Sequence, residues 1–135
     1  MKRKTKTILL IVAAVLLVCI LGGVIAFQVI QRNLNALSSM AIENIPLDRV
    51  KDGVYMGEYS VFPVSAQVEV TVKDHAIASA RILKHRNGQG SAGEAVVNKA
   101  VEADSIRVDT VTGATYSSKV LLKAMENALR KGLAP

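Results

Sequence analysis

The chain has 135 residues, a formal charge of +6, an apolar half, no Trp and a single Cys. That length carries one compact domain at most, and the lone Cys19 leaves no thiol pair for a disulfide framework, a Cys-rich metal site or an iron–sulfur cluster. Redox chemistry in such a chain has to come from a borrowed cofactor.

Residues 1–7 form a basic N-terminus with Lys2, Arg3, Lys4 and Lys6. Residues 8–30 follow without a charge, and Gln28 is their one strongly polar side chain. As a helix they would span about 34 Å, enough for a hydrocarbon layer of about 30 Å. The run exceeds the roughly 7 to 15 apolar residues of a cleaved signal peptide, so a transmembrane helix is expected. The cations lie before the span and only Arg32 follows it closely, which predicts a cytoplasmic N-terminus and a domain outside the cytoplasm. Val18 stands where a lipidation box requires a small residue, so Cys19 is read as a small apolar side chain of the helix.

Residues 31–49 read as a stalk or linker: Leu34, Leu37, Met40 and Ala41 recur at helical spacing until Pro46 ends the pattern. The folded domain is expected at 50–135. Its 11 basic and 9 acidic residues nearly balance and are scattered among few aromatics, which sets nucleic acid aside as a partner. A strand is predicted at 54–60. Another follows at 66–72, where Val68, Val70 and Val72 alternate with Gln67, Glu69 and Thr71. Lys73-Asp74-His75 makes a polar turn into a third strand at 77–83. After the Asn87-Gly88-Gln89-Gly90 loop comes a helix at 91–103, with Ala95, Val96, Ala100 and Ala103 as its buried face, then a short strand at 106–108. The clearest helix is 116–131, where Leu121, Ala124, Met125, Ala128 and Leu129 share one face and Gly132 follows as a cap. The fold class is therefore α+β: a small antiparallel sheet with two packed helices, preceded by one N-terminal transmembrane helix.

The segment Asp109-Thr110-Val111-Thr112-Gly113-Ala114-Thr115 enters that last helix. It places hydroxyls and unpaired backbone donors at a helix N-terminus, where a phosphate is well held. The plain alternative is a helix capped by threonine after a glycine turn. A nucleotide-binding P-loop is excluded because Gly113 lacks the Gly-Lys-Ser/Thr ending. Two separated histidines without clustered carboxylates predict no metal site.

DTVTGAT resembles, at every fixed position, the Asp-x-x-Ser/Thr-Gly-Ala-Thr flavinylation pattern of the FMN-binding domain family, which also occurs in flavin-carrying subunits of Rnf-type and sodium-pumping NADH:quinone oxidoreductase complexes. DGVYMGEY at 52–59, VEVTVKDH at 68–75, ILKHRNGQG at 82–90 and VDTVTGATYSSKVLLKAMENAL at 108–129 are similar to that domain too. The resemblance implies FMN joined by a phosphoester to Thr115, attached by a separate Mg²⁺-dependent flavin transferase with FAD as donor. It implies positioning roles for Asp109 and Thr112, small-residue requirements at Gly113 and Ala114, phosphate or ring contacts from Tyr116, Ser117 and Ser118, and a loop near the isoalloxazine at His85, Gly88 and Gly90. Thr115 would be an attachment site, with no catalytic residue in the chain.

The function so implied is that of a membrane-anchored flavoprotein passing electrons between membrane or extracytoplasmic redox proteins, a carrier rather than an enzyme with its own substrate. The short chain and an Asn87-Gly88-Gln89-Gly90 loop in place of Glu-Thr-Pro-Gly favour a stand-alone carrier over a subunit of a larger complex. The reading from another class is a cofactor-free, membrane-tethered binding or assembly module whose threonines serve as caps.

Overall fold

The computed structural model describes residues 2–86 and 91–135. The chain divides into two compact units, Met1–Arg32 and Asn33–Pro135. The first unit consists of helix α1, which runs Lys2–Ser38 and so continues for its last residues into the second. Between residues 8 and 29 its large apolar side chains stand roughly half exposed or more. It is the one helix among the described residues long and apolar enough to cross a membrane.

The second unit is an antiparallel three-stranded sheet in the order β1 (Gly53–Val61), β2 (Val64–Lys73), β3 (Ala76–Arg86). Both connections are two-residue turns. Phe62 and Pro63, joined by a cis peptide bond, close β1–β2 beyond the Val61↔Val64 pair. Asp74 and His75 close β2–β3 with φ of 52° and 62°, positive at both centres as the tightest hairpin turn requires. The alternation anticipated in the middle strand is present over its whole length. Val64, Ala66, Val68, Val70 and Val72 are buried, and the intervening side chains face outward. Each fully buried valine contributes about 1.5–3 kcal/mol relative to exposure, so this strand is the spine of the core.

Helix α3 (Thr115–Lys131) lies across the inner face, with Val120, Leu121, Ala124, Met125, Ala128 and Leu129 all inaccessible. Gly57 is what lets it lie there: a Cβ on this residue would fall 2.0 Å from the Ala124 carbonyl and 2.4 Å from the Ala128 nitrogen. Helix α2 (Ala95–Ala103), preceded by a 3₁₀ turn at Ser91–Glu94, packs on β3 and α3. Its buried residues are Val96, Val97 and Ala100, whereas Ala95 and Ala103 are exposed. Branched Val97 displaces the alanines because it offers more apolar surface to the core.

Two expectations need correction. Residues 106–108 form no strand. Ile106 is instead a core plug, 2 % exposed. The backbone N–H of Ile77, at the start of β3, donates to Asp104 Oδ1 at 2.7 Å, a side chain taking the place of a further ladder partner. Residues 33–49 are also not a free stalk. Leu37 and Ile45 are buried, and Leu34, Met40, Ile42 and Leu47 pack on the same core.

Polar bonds fasten this segment to α3. Lys119 Nζ donates to the Met40 carbonyl at 2.7 Å, and the Glu43 N–H donates to Glu126 Oε2 at 3.1 Å. Glu126 is wholly buried and also accepts from Lys123 and Arg130, while Arg130 in turn pairs with Glu43. Burial alone would push the Glu126 carboxyl up, but the donors from Lys123, the Glu43 backbone and Arg130 outweigh it and hold it below the ordinary glutamate value.

Candidate functional site

The motif 109–115 approaches α3 as irregular chain and ends in a tight turn. The Ala114 N–H donates to the Val111 carbonyl at 3.0 Å. Gly113, third in that turn, has φ of 80°, a position where side-chain-bearing residues are strained. Nothing lies within 4 Å of where its Cβ would be. Glycine is therefore needed here for its backbone angle, and the space above it is open rather than crowded, which refines the expectation of a purely steric requirement. Ala114 is buried.

Helix α3 begins at Thr115 with Ala114 as its N-cap, and no side chain caps it. The first helical bond runs from the Ser118 N–H to the Ala114 carbonyl at 3.0 Å, so the amides of the preceding first-turn residues lie ahead of the ladder. Thr112 is exposed, and the capping threonine of the plain reading is absent. Thr115 is half-buried at the helix start, beside the positive pole of the helix dipole.

The serines part company with the threonines. Ser118 is fully buried and its Oγ accepts from the Val111 N–H at 3.0 Å, tying the loop to the helix. It is a structural clasp rather than a phosphate contact. Ser117 is 3 % exposed and lies under Gly93, where a Cβ would sit 2.8 Å from its own. Tyr116 is 37 % exposed at the helix surface. Asp109 is exposed in an open depression shared with Lys99, Glu102 and Arg107.

His85 is brought towards the same place by a route the sequence did not reveal. Its ring, on the inner side of β3, is 2 % exposed, and Nδ1 lies 2.9 Å from Glu94 Oε1. Glu94 ends the 3₁₀ turn whose Gly93 touches Ser117, Ser118 and Ala114. The end of β3 and the start of α3 are thus joined through Glu94 and Gly93. No motif marks either residue, since each matters only for what it meets in three dimensions. Gly88 and Gly90 lie outside the described residues.

The donor set suits a phosphate: uncapped first-turn amides, hydroxyls on Thr112 and Thr115, and clear space over Gly113. Among the described residues no group of three or more His, Cys, Asp or Glu could hold a metal ion.

No curated protein and no solved structure significantly matches the chain. Residues 64–130, from the start of β2 almost to the end of α3 and including the whole motif, match the profile of the FMN-binding domain. Residues 64–130 are thus an FMN-binding domain, preceded in the chain by a helix long and apolar enough to cross a membrane.

Proposed function

We propose that the protein is a membrane-anchored, extracytoplasmic electron carrier with FMN esterified to Thr115. The observation that carries this is the pairing of a motif threonine with an uncapped helix start. Thr115, partly exposed, is the first helical residue and carries a hydroxyl, and nothing crowds the space over Gly113 two residues before it. Attachment would join the Thr115 oxygen to the FMN phosphate of FAD and release AMP and the hydroxyl proton, with a separate Mg²⁺-dependent transferase as catalyst. The first-turn amides then face the phosphate, and Asp109 and Thr112 stand exposed where a transferase can read them. His85, held by Glu94, would fix the edge of the site next to α3. The bound flavin supplies the electron-accepting chemistry. The basic residues before the span favour a cytoplasmic N-terminus, which puts the domain across the membrane. A cofactor-free module would employ the threonines as caps, and here they cap nothing.

Co-expression with a flavin transferase tests the proposal. Denatured full-length protein is expected to keep flavin fluorescence in a gel and to gain the mass of FMN less one water. Thr115→Ala should lose both while still reaching the membrane. Undiminished fluorescence in that variant would refute the assignment. Protease added to cells with any outer envelope opened should digest the domain, and full protection would refute the orientation.

A further inference from the structure

We infer that the tip of the β1–β2 hairpin, led by Phe62, rests on an anionic lipid headgroup surface. The inference relies on residues 8–30 being a membrane span and is independent of the flavin. Phe62 is the most exposed large apolar side chain of the second unit, at 63 %. One exposed phenylalanine is ordinary by itself. Its tether is what gives it meaning: Asn33 Nδ2 donates to the Phe62 carbonyl at 3.1 Å.

Asn33 follows Ile30, the end of the apolar run, by three positions, and three residues of chain reach about 10 Å at most. The headgroup region is about 5–7 Å deep on each face of a bilayer. With the Asn33 side chain and its hydrogen bond adding about 7 Å, the Phe62 carbonyl is leashed within about three such depths of the hydrocarbon edge, and its ring extends beyond the carbonyl. Charge at this end of the sheet suits the same surface. Arg86 pairs in register with Ser65 and Lys84 with Gln67, beside the tip, and both basic side chains are exposed; with exposed Glu58 on the other side of Gln67, this end of the sheet keeps one net positive charge. An aromatic ring at headgroup level with cations next to it is a recurrent interfacial arrangement.

The chain has no Trp, so Phe62→Trp makes a single-tryptophan reporter at an exposed position that tolerates the larger ring. Val54→Trp, at another exposed site eight residues back along β1, about 26 Å away at the strand rise, is the reference. Both full-length variants are placed in phosphatidylglycerol vesicles carrying lipids brominated near the top of the acyl chain. Indole emission from the Phe62→Trp chain is expected to shift to the blue and to be quenched several-fold more than that from the Val54→Trp chain. Equal, weak quenching in the two variants would overturn the inference, and so would a blue shift without bromolipid quenching, which would mean cover by protein. Alkaline carbonate extraction keeps the two readings apart. A chain washed off membranes refutes the span on which the inference rests, whereas a Phe62→Trp chain that stays embedded with its indole unquenched refutes the hairpin contact alone. If either variant misfolds, slower amide exchange of residues 60–65 in the native chain in these vesicles than in neutral detergent supports the contact, and equal exchange overturns it.

Discussion

In its C-terminal half α3 buries a carboxylate, Glu126, and surrounds it with a lysine, an arginine and a backbone N–H from residue 43. At its N-terminus, eleven residues earlier, the same helix leaves its first-turn amides without a side-chain cap, behind a glycine turn open to solvent. Polar groups at one end are consumed by the fold, and those at the other are kept available. Buried polar groups without partners are costly, so the crowded end is the one where a sequence change should cost stability. The open end is where it should cost function.

The sharpest break of that contrast is at Gly57. Alanine there collides with the α3 backbone and should destabilise the domain by about 3 kcal/mol or more, read from urea unfolding of the solubilised chain by tyrosine emission. Next comes Glu126→Ala, which strands Lys123, Arg130 and the Glu43 amide. A loss of about 2–4 kcal/mol is expected, together with faster protease cleavage at residues 39–45. Because the folded-state carboxyl is held below its ordinary value, the unfolded chain binds this proton more readily. The contribution of Glu126 is therefore complete above the ordinary glutamate range and fades as the pH falls through the lowered value. A stability profile between pH 3 and about pH 6 should slope upward in the native chain and less so in the variant.

Effects should shrink towards the other end of the helix. Gly113→Ala forces a side-chain-bearing residue to a φ of 80°, at about 1–2 kcal/mol, and should slow flavin loading in a timed transferase assay. Thr115→Ser should move stability by less than about 0.5 kcal/mol and keep the flavin. Equal stability losses at Gly57 and Thr115 would erase the distinction between the two ends.

Much of this was legible along the chain. The strict alternation at Val68, Val70 and Val72 and the helical spacing from Leu121 to Leu129 are local signals, and the structure follows both. The motif at 109–115 was equally plain because its meaning lies in consecutive residues. What escaped were features made by partners far apart in sequence. Gly57 looks like any strand glycine until α3 is laid over it. Glu126 looks like a solvated helix charge until the amide of Glu43, 83 positions away, is brought to it. Ile106 to Val108 carried the composition of a strand, but Asp104 already serves the N–H at the start of β3, so apolar content became a plug in the core. Ser118 had the chemistry of a phosphate ligand and became a clasp because the loop folded over it.

The attachment of residues 33–45 to the domain decides where a soluble fragment can begin. A cut at position 50, where strand-like sequence starts, would remove Leu37 and Ile45 from the interior and deprive Glu126 of one of its donors. A cut just before Asn33 would keep all three. The working boundary between the apolar span and the domain thus lies inside a continuous helix, where the uncharged run gives way to Gln31-Arg32-Asn33 and no proline or glycine interrupts the backbone.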